Sequence, residues 1–516
     1  MPCTRLTARQ AIAAVSEAYT ELTDPEGPGS PATVSRAPAA AAFPPDGPLG
    51  WRGYDEMRAR AHARTGEHES VVTALATMGG TEAVVLSFEF RYLGGSLGER
   101  TGDRLEAAYT LARERGLPVV SLIATGGSRM QEGMRALAQL QRVAAQSARN
   151  RAAGLPQIAV LRDPTTGGGW ATLGAAADVI LALPGAQVGF AGSRVRPADA
   201  DPYAYSAEGQ LASGHLDAVV PPDRLRATLQ HWLHLLCGAG GAAGPDGPDG
   251  PDELSGPNGP AGSGKPIGAD GSDGPDGPGR ADGTSRSDES GEPGEEEAVE
   301  PAPLPSARGV PRLPESGWGA VARAREPRRP RAEAYLRAYF DDCQEISGDR
   351  CGGVDPGMRC GFGRHQGRTI AFAAQCGTAT RPAGFRTAAR LIRLADRLGI
   401  PVLTLIDTPG AANDAAAERA GAGAAIADAF AALATARVPV TSLLIGEGGS
   451  GGALSLAAPD RLWATPDSYF SVIAPELAAA ILKRDPAQIH ETADQLRIRP
   501  QDLLDLGVIR GIAPPA

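Results

Sequence analysis

The residues in this chain that could do chemistry are glycines at the starts of helices. Gly126-Gly127, Gly167-Gly168, Gly410 and Gly451-Gly452 each follow a Val/Leu/Ile-rich run and precede a helical pattern. A helix N-terminus presents unpartnered backbone N–H groups and the positive end of the helix dipole. Such a turn can bind phosphate, or it can hold the negative charge that develops on a carbonyl oxygen. The spacing decides against the common phosphate motifs. There is no GxxxxGK[ST], and no clean GxGxxG between a first strand and helix with an acidic residue following. Two turns per half suit two donors converging on one carbonyl, and two halves make two such holes.

Side-chain chemistry looks thin beside this. His62, His68, His215, His231, His234, His365 and His490 are scattered, and none lies in a glycine turn. His231 and His234 are three residues apart near Cys237, without a second ligand pair, so no bound metal is expected. Asp163, Asp407 and Glu447 precede the turns and are expected to cap helices or hold loops. Glu132 is expected to balance the charge of the first turn. A mechanism resting on backbone N–H groups fits this inventory.

The elements that must position the glycines form an internal repeat. Leu117–Ile123 matches Ile400–Ile406, Leu155–Val160 matches Val438–Leu443, and the glycine turns match likewise, all at a separation of 283 residues. Continuous apolar strands alternating with helices predict an α/β fold with parallel, doubly covered sheets. The turns fall at the C-terminal ends of strands, where open α/β sheets place ligands.

The chain has 516 residues with 67 glycines and 44 prolines, well above ordinary usage. Most of the excess lies in 238–330, where the run from Gly238 to Glu300 has almost no Leu, Ile, Val or Phe. A disordered linker is expected there. The expected organisation is 1–50, an N-terminal extension with a helix over Thr7–Leu22 and then a flexible stretch; 51–237, a first globular half; 238–330, the linker; and 331–516, a second globular half. A net charge of −10 argues against nucleic-acid binding. The absence of ~18 consecutive apolar residues argues against a membrane span, and six cysteines argue against a disulfide scaffold. The N-terminus lacks a secretory pattern, so a reducing, cytoplasmic location is expected.

The motifs Ala124-Thr-Gly-Gly-Ser-Arg-Met-Gln-Glu-Gly133, Asp163-Pro-Thr-Thr-Gly-Gly168, Gly189-Phe-Ala-Gly-Ser-Arg194 and Leu93-Gly-Gly-Ser-Leu-Gly98 resemble the β subunit of the acetyl-CoA carboxylase carboxyltransferase. Gly348-Asp-Arg350, Ile406-Asp-Thr-Pro-Gly-Ala411, Ile445-Gly-Glu-Gly-Gly-Ser-Gly-Gly-Ala-Leu454 and Tyr469-Phe-Ser-Val-Ile473 resemble its α subunit. The resemblance covers roughly 75–235 and 335–516, a β–α fusion. It implies two crotonase-like (ClpP/crotonase) β-β-α superhelix domains.

The resemblance further implies carboxyl transfer from carboxybiotin, carried on a biotin carboxyl carrier protein, to acetyl-CoA, giving malonyl-CoA for fatty acid biosynthesis. Biotin carboxylase and a second copy of the chain, in at least a dimer, are the other implied partners. Gly167 and Gly168 would serve the thioester oxyanion, with Gly126, Gly127, Arg129, Gly192 and Arg194 binding substrate nearby. Gly451 and Gly452 would serve the biotin oxyanion, with Gly410, Ala411, Gly448 and Gly449. The chain also departs from the family. Only Cys3 precedes Cys237, so the four-cysteine zinc ribbon is absent. The segment Gln375–Arg381 is short, Ala411-Ala-Asn-Asp414 replaces AYPG, and Ala474-Pro-Glu-Leu-Ala-Ala479 replaces SPEGCA. These departures leave room for another acyl-CoA, or for a silent scaffold subunit of a biotin-dependent carboxylase.

Overall fold

The computed structural model describes residues 5–22, 44–237 and 299–516. The first sheet runs β1 (Ala18–Glu21), β2 (Val71–Met78), β3 (Thr81–Phe88), β4 (Val119–Thr125), β5 (Gln157–Thr166), β6 (Val179–Ala182) and β8 (Ala218–Val219), and β7 (Val188–Gly189) pairs with β5. Helices α1 (Ala8–Val15), α2 (Tyr54–Thr65), α3 (Glu99–Arg115), α4 (Gly133–Ala152), α5 (Ala207–Ala212) and α6 (Pro222–Cys237) surround it.

The second sheet repeats this order: β9 (Asp342–Ile346), β10 (Met358–His365), β11 (Arg368–Gln375), β12 (Val402–Thr408), β13 (Val440–Gly449), β14 (Leu462–Ala464) and β16 (Gly511–Ile512), with β15 (Tyr469–Ser471) on β13. Its helices include α7 (Gly317–Ala324), α8 (Ala332–Tyr339), α9 (Pro382–Arg397), α10 (Ala415–Arg419), α11 (Ala422–Thr435), α12 (Ser450–Leu454) and α13 (Pro475–Ile481).

Each half opens with an antiparallel hairpin and continues in parallel strands. The hairpins close through Gly79-Gly80, with φ of 60° and 80°, and Gln366-Gly367, with φ of 51° and 80°. Two positive φ values in a row match a tight turn to the twist of its strands. The parallel strands are buried on both faces, which explains their unbroken apolar runs. The repeat extends to irregularities. The β4–β5 register slips between Ile123 and Thr125, and the β12–β13 register slips between Ile406 and Thr408. These are the β-β-α superhelices of the crotonase fold.

Two boundaries differ from expectation. The N-terminal helix starts at the Thr7 cap as predicted, with a capping box to Gln10. It stops at Val15, and Ala18–Glu21 becomes a strand on the free edge of β2. Residues 299–330, assigned to the linker, are folded. Ala302 and Ala307 join a core beneath β11 and β12, and α7 buries Ala320, Val321 and Ala324. Small apolar residues spaced among prolines and arginines supply enough burial to order this stretch. The rest of the expected linker, 238–298, and residues 23–43 lie outside the described residues. The described residues of both halves form one compact unit, with α4 packed on α11 and α12. No helix among the described residues is long and apolar enough to cross a membrane.

Candidate active site

In the first half, β4 ends at Thr125 and the chain turns through Gly126 and Gly127, the latter at φ 104°. Gly126 N donates to Gly94 O at 2.9 Å, and Gly127 N donates to Thr125 Oγ1 at 3.1 Å. At the end of β5, Gly167 has φ 66° and its N–H donates to Gly189 O at 3.2 Å. Gly168 and Gly169 then lead into a single π-turn, Trp170–Gly174. The two turns touch: a Cβ on Gly167 would lie 3.0 Å from Gly127 Cα. Glycine is required here both for the left-handed backbone and for the close approach.

The second half repeats this arrangement. Gly410 N donates to Thr408 Oγ1 at 3.1 Å, the counterpart of Gly127 and Thr125. Thr380 N donates to Gly410 O at 3.0 Å, as Leu97 N does to Gly127 O at 2.9 Å. Ser450, with φ 51°, holds the place of Gly167 in a conformation that costs an L-residue roughly 1–2 kcal/mol. A Cβ on Gly452 would lie 2.9 Å from the Gly410 carbonyl carbon, so the helix start packs directly on the first turn. Gly449 abuts the Pro409 carbonyl and Gly448 abuts the Phe470 ring. Those two glycines serve close packing within the turn.

The fold brings the turns of the two halves together. Leu140 on α4 is the shared neighbour. Its Cδ1 would lie 2.6 Å from a Cβ on Gly168 and 3.8 Å from one on Gly451, and Phe190 Cζ would lie 3.5 Å from the latter. Trp170, fully buried, fills the space left by Gly423 on α11. Polar ties cross the same boundary. Tyr205 OH donates to Asn413 O at 2.6 Å, and Asn413 Nδ2 donates to Val195 O at 3.0 Å. Gln141 Nε2 donates to Leu454 O at 3.1 Å.

Two family profiles match in the order of the halves. One is described as Carboxyl transferase domain, over residues 48–226, and the other as acetyl co-enzyme A carboxylase carboxyltransferase-like, over 315–515. The acetyl-coenzyme A carboxylase carboxyl transferase subunits beta/alpha of Salinispora arenicola are 36% identical over 478 residues, spanning 89% of this chain and 76% of the relative. The chain belongs to the acyl-CoA carboxylase carboxyltransferase family. A probable biotin-dependent acyl-coenzyme A carboxylase beta3 subunit of Mycobacterium bovis is 32% identical, spanning 89% of this chain and 83% of its own. A solved transcarboxylase 12S structure aligns over 99% of this chain and 87% of its own, at 18% identity and a TM-score of 0.35. The protein is a biotin-dependent acyl-CoA carboxyltransferase.

Around the turns of this carboxyltransferase the flanking charges are engaged. Asp163 Oδ1 accepts from Gln187 N at 3.1 Å, and Oδ2 pairs with Arg5 at 2.7 Å. Asp407 is buried between Arg329 at 2.5 Å and Arg331 at 3.3 Å. Glu447 accepts from Arg325 and from Tyr469 OH, both at 2.8 Å.

Arg129, expected to bind substrate, is 1% exposed and turned into the protein. Its guanidinium bonds both Glu69 oxygens, Glu132 Oε1 at 3.0 Å and Ser96 O at 2.8 Å. Burial would raise the Glu69 carboxyl, but the Arg129 charge overrides it and holds the group at about 2. Arg129 therefore braces the first turn. Arg194, two residues after Gly192, is exposed. A cavity of about 200 Å³ lined by Arg9, Glu67 and Arg104 lies away from the turns, and one of about 160 Å³ lined by Ala148, Ala171 and Ala427 lies behind the turn that Gly167 and Gly168 begin.

Sequence reasoning missed Leu140, Trp170 and Glu418, whose partners lie in the other half. It also missed Arg325 and Arg329, which fell inside the expected linker.

Proposed function

We propose that this carboxyltransferase moves a carboxyl group from carboxybiotin, presented by a biotin carboxyl carrier protein, to acetyl-CoA, giving malonyl-CoA. The N–CO2 bond of carboxybiotin breaks and releases CO2, leaving the ureido anion. That anion takes a proton from the acetyl α-carbon, and the resulting enolate carbon attacks CO2. Two oxyanions need stabilising, on the thioester and on the ureido group. Gly168 serves the thioester, while Gly126, Gly127 and Gly167, whose amides already donate to Gly94 O, Thr125 Oγ1 and Gly189 O, shape the turn that holds it. Gly451 and Gly452 serve the ureido oxygen, with Gly410, whose amide donates to Thr408 Oγ1, and Ala411 shaping that side. Arg194 and Gly192 border the acyl-CoA side, and Gly448 and Gly449 shape the biotin side. The observation that carries this reading is the pairing of two glycine turns in each half, with one leucine between the helix starts of the two halves. The engaged state of Asp163, Asp407 and Glu447 supports backbone over side-chain catalysis.

A different acyl-CoA is the second reading. It is supported by the altered segments 411–414 and 474–479 and by a relative whose name specifies only an acyl-CoA carboxylase. The test is carboxyl transfer from a carboxylated carrier to acetyl-, propionyl- and longer acyl-CoA, with biotin carboxylase regenerating the carrier. Acetyl-CoA is expected to give the highest kcat/KM. Preference for a longer acyl group supports the second reading. Carrier binding with no transfer to any acyl-CoA would leave a scaffold subunit. The working form is proposed to be at least a dimer, checked by sedimentation.

A further inference from the structure

The segment Gly189–Ala191 touches both sets of turns. Gly189 O accepts the amide of Gly167 at 3.2 Å, and Phe190 lies against Gly451. Residues 188–189 pair with the end of β5, but Phe190 and Ala191 lie beyond that strand. Their position is fixed from the other half. Glu418, on α10, is 1% exposed, and its Oε1 accepts from Ala191 N at 3.0 Å. The Phe190 N–H is turned toward the same carboxyl and adds to the pull on it. A Cβ on Gly189 would come within 3.2 Å of Oε1, so the carboxyl rests directly on the segment. Its second oxygen, Oε2, is buried and has no partner. A half-satisfied buried carboxyl is costly, and here it sits where the halves meet.

We propose that Glu418 is a positioning residue for carboxyl transfer. Its carboxyl holds Gly189–Ala191 and thereby sets the gap between the helix starts at Gly168 and Gly451. This rests on the catalytic reading above, while the structural part stands by itself.

The electrostatic surroundings give the proposal a signature. Burial pushes the Glu418 carboxyl up to about 7, against the opposing pull of the Ala191 and Phe190 amides. The groups facing it are Arg196 and Tyr205 from the first half and Asp414 from its own side, while Arg419 faces Tyr205. Asp414 pairs with Arg381, and Arg419 pairs with Asp201. His215 lies beyond, against Gly421. Ionisation strengthens the pull of the amides but leaves a buried negative oxygen without a donor, and that larger desolvation cost opens the segment to water as pH rises through neutrality.

The experiment uses the full chain and compares wild type, Glu418→Ala and Glu418→Gln in two readouts. The first is hydrogen exchange at Phe190 and Ala191. Glu418→Ala should speed exchange there at least tenfold, and Glu418→Gln should restore most of the protection. The second is kcat and KM from pH 5.5 to 9. Wild-type kcat should fall above pH 7, Glu418→Ala should lose at least tenfold in kcat with a smaller change in KM, and Glu418→Gln should lack the inflection. Unchanged exchange in Glu418→Ala overturns the proposal even if the variant is slow. An inflection that persists in Glu418→Gln overturns it too. If wild type transfers no carboxyl group but the exchange pattern holds, the catalytic reading fails and the structural role survives.

Discussion

At Gly451 an added Cβ meets ordinary contacts, the nearest being Phe190 Cζ at 3.5 Å, whereas at Gly168 it runs into Leu140. Gly451→Val is therefore the cleaner probe of backbone catalysis. It should keep its circular dichroism while transfer falls at least a hundredfold, because the side chain blocks approach to an amide worth ~3 kcal/mol as an oxyanion donor. Gly168→Val should be equally slow but also less stable, by about 1–3 kcal/mol of overpacking. Full activity in Gly451→Val would redirect the search to a side-chain base. Glu418 offers a stability readout at the same scale. Its folded-state pKa is raised from 4.5 to about 7, so the folded state holds the proton more tightly. Stability is then highest below pH 4.5, falls between 4.5 and 7, and stays low above, by up to about 3 kcal/mol. Glu418→Gln removes that loss. Its Tm should exceed wild type at pH 8 and converge on it near pH 5, checked by calorimetry.

Among the elements, the first glycine turn of each half is fastened by arginine, but from different directions. In the first half Arg129 joins the turn itself to Glu69 before β2 and Glu132 before α4. In the second half Arg329 reaches in from the chain leading out of α7 to Asp407, before the first turn, and Arg325 reaches from the same chain to Glu447, before the second. Arg129→Leu strands Glu69 as a buried charge and should cost about 3–5 kcal/mol. The loss should appear in chemical denaturation and soluble yield. A folded Arg129→Leu protein with only a raised KM for acyl-CoA would restore Arg129 to substrate binding.

These fastenings also mark where the sequence stops being legible. β4, β5, β12 and β13 announce themselves as apolar runs ending in glycine, because burial on both faces leaves a local signature. β1 does not, since Ala-Tyr-Thr-Glu becomes a strand only by pairing with the exposed edge of β2. Residues 299–330 read as linker because their few apolar residues are spaced among prolines and arginines, and the surface that buries them comes from elsewhere. Glu418 reads as a lone charge in an alanine-rich helix. Its meaning depends on amides at 190 and 191, far off in sequence.

For the molecule as a whole, the shared boundary predicts reassembly. Residues 1–237 and 299–516 expressed as separate chains should associate, because Trp170, Leu140 and Glu418 each contact residues of the other half. Size-exclusion chromatography of the mixed fragments checks this, and Gly423→Val should prevent it, since Trp170 occupies that space. Fragments that stay apart would show that the boundary depends on the covalent connection.

The same boundary sets a timetable during synthesis. The first half leaves the ribosome with its Trp170 surface complete, while α11, which covers it, ends at Thr435. At ~5–20 residues per second, the roughly 200 residues from Cys237 to Thr435 take on the order of ten to forty seconds. Throughout that interval the indole and its apolar neighbours lack the helix that covers them. A nascent chain of this protein should therefore be a chaperone client for longer than either half alone would need to fold.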